Sequence, residues 1–141
     1  MTPREYLHQA YRLDHKINSN LEEIAALREM ACSISSPKMS DRVQTTNTGE
    51  ASFTRCIEKI VDLEERINQE IDLLVSLKEE IRRVIKEVEN TDEQMVLRYR
   101  YIHNMNWEQI GDELHADRTT VYRWHNSALR HVKLPENPIK I

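Results

Sequence analysis

Four basic side chains and no acidic one fall between residues 118 and 133: Arg118, Arg123, Arg130 and Lys133. Thr119, Thr120, Tyr122 and Asn126 stand among them, and His125 and His131 add to the positive stretch. Guanidinium forks, hydroxyls and amides are the groups that grip phosphates and read base edges in the major groove of double-stranded DNA. Arg118 and Arg123 suit bidentate contact with guanine. Thr119 and Thr120 suit phosphate or a thymine methyl, and Asn126, Arg130 and Lys133 suit phosphate. The net charge of −4 does not argue against this, because a phosphate backbone meets local charge. Residues 1–90 hold 13 Lys/Arg against 17 Asp/Glu, whereas residues 91–141 balance at seven each.

The elements that must present this stretch are legible in spacing. Residues 107–126, WEQIGDELHADRTTVYRWHN, have the pattern of a helix-turn-helix. Ile110, Leu114, Ala116, Val121 and Trp124 fill its apolar positions, and Gly111 its small one. His115 stands where the turn passes through positive φ, a place usually held by Gly, and histidine tolerates that region. Three cap signals agree on the boundaries: Thr91 with Gln94, Asn106 with Gln109, and Asp117 ahead of Arg118. A helix over 92–103 should present Met95, Val96, Tyr99 and Ile102 on one face. The last helix should stop near Lys133, ahead of Pro135 and Pro138. Trp107 and Trp124 lie on inner faces and read as core, not as a stacking platform for single strands.

Other chemistries lack their residues. His103, His115, His125 and His131 share no i, i+4 face and have no carboxylate or cysteine at zinc spacing, so no metal site is expected. No nucleophile–base arrangement or phosphate-binding glycine loop is visible. The chain reads as a non-enzyme that needs no cofactor. Cys32 and Cys56 are isolated in sequence, as in a reducing compartment. No segment has the length and apolarity of a membrane span, and the first residues lack the apolar core of a signal peptide. A cytoplasmic location is expected.

Only two glycines and 31% charged residues point to long helices. A first helix is predicted over 3–32, with apolar or seam positions 7, 10, 14, 17, 21, 24, 28 and 31, widened by Tyr6, Leu13 and Leu27. Residues 33–52, rich in Ser, Thr, Asn, Pro and Gly, read as a long loop. A second helix is predicted over 52–89, with a heptad seam at 53, 57, 60, 64, 67, 71, 74, 78, 81, 85 and 88. The fold class is all-α: a long N-terminal helical hairpin or coiled coil (1–90), a C-terminal helix-turn-helix domain (91–134) and a tail (135–141). Val61, Leu73, Leu77 and Val84 lie off that seam and call for another partner, most simply a second copy of the chain. Packing of the terminal domain on the long helix would instead leave a monomer.

Residues 93–132, EQMVLRYRYIHNMNWEQIGDELHADRTTVYRWHNSALRHV, resemble region 4 of the sigma-seventy type of RNA polymerase sigma factor. The likeness lies in the "LRY" helix end, the Trp107-Glu108-Gln109-Ile110-Gly111 start, where the family has Trp/Ser-x-Glu-Ile-Gly/Ala, and the Ala128-Leu129-Arg130 run. It implies base reading by Arg118, Thr119, Thr120, Tyr122 and Arg123. Thr119 stands where that family usually has a glutamate, so its −35 promoter preference does not transfer. With the VQT-containing loop, the whole chain resembles phage-encoded transcriptional regulators of the ArpU and RinA kind. That resemblance implies an activator of phage or prophage late genes, with double-stranded DNA, bacterial RNA polymerase and a second copy of the chain as partners. A small-terminase-like packaging subunit and a coiled-coil adaptor that binds polymerase or a sigma-like protein are the alternatives.

Overall fold

The computed structural model describes residues 1–34 and 46–141, and all regular structure among them is helical. The helices are α1 (Pro3–Ile34), α2 (Thr46–Lys86), α3 (Thr91–Leu97), α4 (Trp107–Leu114) and α5 (Arg118–His131). A π-helical turn, Arg98–Ile102, continues α3. Part of the polar stretch 33–52, expected as a loop, is helical. Residues 33 and 34 extend α1, and α2 already begins at Thr46; residues 35–45 lie outside the described part. Ser and Thr are weak helix formers, but adding a residue to an existing helix costs far less than starting one.

The chain divides into two compact units, and the division does not fall at residue 90. One comprises His15–Asp72, the other Met1–Asp14 with Leu73–Ile141. In the first, α1 buries Ile17, Ile24 and Ala31, while α2 buries Cys56, Ile60, Leu63 and Ile67. Antiparallel pairing is fixed by polar contacts. Arg28 forms an ion pair with Glu64, and the Asn20 amide donates to both oxygens of Glu70 at 3.2 and 3.3 Å. Leu21, Ile57, Val61 and Ile71 stay exposed.

These burials correct the predicted seams. Positions 7, 10, 17, 24 and 31 on α1 and 60, 67, 74, 81, 85 and 88 on α2 hold, but 14, 21 and 28 on α1 and 53, 57, 64, 71 and 78 on α2 each give way to the residue before. Leu13 and Leu63 are buried where Asp14 and Glu64 were expected, and Leu77 and Val84 join the seam that they were predicted to leave. An apolar stripe this wide fits either register. The observed one keeps the Arg28, Glu64 and Lys78 charges out of the interior, where desolvating them would be costly.

The second unit holds the larger core. Tyr6, Leu7 and Ala10 of α1 pack in one cluster with Leu77, Ile81 and Ile85 of α2, Leu97, Tyr101 and Ile102 of α3 and its π turn, and Ala128 of α5. Val96, Ile110 and Val121 form a smaller cluster, with Trp107 and Trp124 packed against it as partly buried rings. A capping box starts α1: Glu5 N–H donates to Thr2 Oγ1 at 3.2 Å, and Thr2 N–H to Glu5 Oε2 at 3.0 Å. The segment expected to be a tail is bonded to this core. Ile139 N–H donates to Glu80 Oε1 at 3.1 Å, and its carbonyl accepts from Gln9 at 2.9 Å.

The observed seam takes in position 77 and leaves position 61 outside. Leu77→Ala, at a side chain with no exposed surface, should cost about 2–5 kcal/mol. Val61→Ala, at an exposed one, should stay within about 0.5 kcal/mol in the monomer. Denaturant unfolding curves at low protein concentration read both.

Candidate nucleic-acid interface

Each helix of the C-terminal region starts on a side-chain cap. Asn90, not Thr91, caps α3: its Oδ1 accepts from Glu93 N–H at 3.1 Å. Thr91 is already helical, and the Gln94 amide instead donates to the carbonyls of Ile85 and Lys86 at the end of α2. Asn106 and Gln109 form the expected capping box of α4, with bonds of 2.8 and 3.0 Å. Asp117 caps α5, accepting from Thr120 N–H at 2.8 Å. That contact holds the Asp117 carboxyl below its ordinary pKa.

Between α4 and α5 the backbone turns through His115, whose φ of 52° and ψ of 45° are left-handed, as its place in the motif requires. The Ala116 N–H then donates to the Gly111 carbonyl at 3.0 Å. A Cβ on Gly111 would stand 2.7 Å from the Ala116 carbonyl oxygen. Both glycine and αL residue therefore serve one turn.

That turn sets the roll of α5. Val121, His125, Ala128 and Val132 are buried, spaced four, three and four. Thr119, Arg123, Asn126 and Arg130 follow the same spacing two residues earlier and so lie on the opposite side. Thr119, Arg123 and Arg130 are exposed, and Asn126 is half-buried. Arg118 and Tyr122 lie on one flank, both exposed, with the Tyr122 ring edge-on to Trp107 at 5.5 Å. Thr120 is half-buried beside its Asp117 cap, and Lys133 is exposed beyond the helix end at His131. The predicted residues thus share one end of one unit, with Arg123 at the centre of the outer stripe.

His125 does not belong to the positive stretch, and His131 is paired with an acid. Burial pushes the His125 pKa down to about 4, and the nearby Arg4 charge adds to the effect. Its neutral ring lies 4.7 Å from Trp107, and its Nε2 is 2.6 Å from the Tyr101 hydroxyl. Burial raises the Tyr101 pKa, so the phenol keeps its proton in this contact. His131 Nδ1 is 2.7 Å from Glu93 Oε2, and Ser127 Oγ donates to Glu93 Oε1 at 2.6 Å. Burial opposes ionisation of Glu93, but these hydrogen bonds hold its carboxyl below the ordinary value. Serine and histidine both bond the acid and not each other, so the trio lacks the serine–base contact of a nucleophilic triad. It anchors the C-terminal half of α5 to α3.

Sequence reasoning missed three participants. Arg4, at the start of α1, reaches the outer face of α5, its Nη2 donating to Asn126 Oδ1 at 3.3 Å. No local signal could have shown that, across 122 positions. Arg100 lies over the Trp107 ring at 4.4 Å and donates to the Met105 carbonyl. His125 was detectable, because it shares the spacing of Val121 and Ala128.

A family model described as "Protein of unknown function (DUF1492)" matches residues 33–133 of this chain. No curated protein and no solved structure matches it.

Gly111→Ala should destabilise the chain by about 1–3 kcal/mol, since backbone must move to admit the methyl group; thermal unfolding reads it. Stability should also fall with acid. A folded-state pKa of about 4 at His125, below the ordinary value of 6.5, means that the unfolded chain binds the proton first. The contribution is full above pH 6.5 and is lost as pH falls toward 4. His125→Gln should flatten the unfolding free energy across that window.

Proposed function

We propose that this chain, which belongs to the DUF1492 family, is a sequence-specific DNA-binding transcriptional regulator. More narrowly, it is an activator of phage or prophage late genes, of the ArpU and RinA kind. One observation carries the reading: α5 presents Thr119, Arg123, Asn126 and Arg130 directly opposite its buried face, at the end of a turn closed by Gly111 and His115. The duplex takes α5 in its major groove. Arg118 and Arg123 read base edges, with Thr119, Thr120 and Tyr122 beside them. Asn126, Arg130, Lys133 and Arg4 meet phosphates.

Bacterial RNA polymerase is the second partner in this reading, met in the cytoplasm of the host cell. A second copy of the chain is the third. The exposed Leu21, Ile57, Val61 and Ile71 of the α1–α2 hairpin favour it, since apolar side chains repeated along a helical face gain by being covered. A dimer pairs two recognition helices with two half-sites.

Gel shifts on the DNA upstream of the neighbouring late operon test the reading. Arg118→Ala and Arg123→Ala should each weaken specific binding by about 1–3 kcal/mol. Arg4→Ala should weaken binding to all sequences alike and reduce the salt slope by about one. Equal binding by wild type and the Arg118/Arg123 double variant at moderate salt would remove the assignment. Light scattering of the same protein should give twice the chain mass; a ring of many subunits would favour the packaging subunit instead.

A further inference from the structure

The opposite side of α3 carries a second basic surface that the reading above leaves unused. Glu93, Val96 and Leu97 are buried, turned toward α5 and the core. At 100° per residue, Met95 and Arg98 lie on the other side of the helix. There, within one compact unit, the C-terminal turns of α2 and the outer side of α3 border an open groove of about 560 Å³. Arg82, Arg83, Lys86 and Arg98 line it, with Met95 and Gln94 between them.

Three features define its chemistry. Among the described residues, none of the four cations has a carboxylate within ion-pairing distance. Glu80, the acid whose neighbour Tyr6 feels the Arg83 charge, is already occupied by the Tyr6 hydroxyl at 2.6 Å and the Ile139 N–H at 3.1 Å. Four like charges around one concavity repel each other and attract a counter-anion. The groove is not purely polar, however. The half-buried Met95 thioether and the aliphatic stems of the basic residues offer an adaptable apolar bed.

A duplex held on the outer face of α5 cannot also fill this groove, because α3 lies between them. Its volume takes a few side chains and not a folded domain. We propose that it docks an acidic segment of a protein partner, whose carboxylates meet Arg82, Lys86 and Arg98 and whose apolar side chain rests on Met95. Such a segment binds on the side away from the duplex, so both can be held together. The proposal does not depend on α5 reading DNA.

The full chain, with its methionine methyl groups labelled with carbon-13, tests it against three synthetic peptides: Glu alternating with Leu, Gln alternating with Leu, and Glu alone. Met95→Leu assigns the Met95 resonance. The Glu/Leu peptide should shift that resonance, the Gln/Leu peptide should not, and the all-Glu peptide should bind more weakly. Reversing two charges, Arg82→Glu with Arg98→Glu, should lower Glu/Leu affinity by about tenfold or more. The milder Arg82→Gln with Arg98→Gln should lower it less, with duplex binding unchanged in both variants. No Met95 shift with the Glu/Leu peptide overturns the proposal, as does equal affinity for the all-Glu peptide. Loss of duplex binding in the charge-reversed, folded variant assigns the groove to nucleic acid and also overturns it. A Met95 shift that grows with protein concentration alone makes a second copy the occupant, with the same consequence. Gel shifts of the Arg118 and Arg123 variants report on α5 separately.

Discussion

The Ala116 carbonyl oxygen lies where even a methyl group on Gly111 would be crowded, 2.7 Å from its Cβ position. The presentation of α5 follows from that closeness. Because α4 has no side chain there, the chain can reverse through the left-handed His115 and return the Ala116 N–H to the Gly111 carbonyl. Asp117 then starts α5 with its cap already made. With start and direction set, the buried stripe of Val121, His125, Ala128 and Val132 decides which side chains face outward. A roll of one residue would bring Tyr122 inward and Val121 out. In the proposed reading, specificity rests on this turn as much as on the arginines.

Buried polar groups hold that roll from the other side. Glu93 accepts from Ser127 and contacts His131, and the neutral His125 ring is hydrogen-bonded to Tyr101. Such contacts add little net free energy when made, but a rotated helix would leave a buried carboxylate and a buried phenol without partners. They also take the His125 ring off the surface and set a carboxylate beside His131.

The hairpin shows the same use of polarity. Asn20 and Glu70 occupy seam positions where leucine or isoleucine would pack more readily, and they satisfy each other there. A polar pair in an otherwise apolar seam disfavours a shift of register, since sliding would separate its partners. The apolar residues left outside, Leu21, Ile57, Val61 and Ile71, are the ones that a second copy would cover under the proposed dimer.

Local rules determined much of this molecule before folding is considered. Helical class, the α4 cap, the Asp117 cap, the positive φ at His115 and the small residue at Gly111 each depend on a few neighbouring residues, and all were legible there. The register of α1 against α2 was not, because a broad apolar stripe satisfies two seams and only the packed pair shows which charges stay wet. Nor were Arg4 beside Asn126, Glu93 beneath Ser127 and His131, or the basic groove between α2 and α3. These join residues far apart in the chain, and periodicity within one helix says which side is apolar but not which neighbour covers it. Sequence alone thus placed the candidate recognition helix and most of its side chains. The tertiary structure decided which of its charges are real, what holds it, and which basic surface lies on the other side.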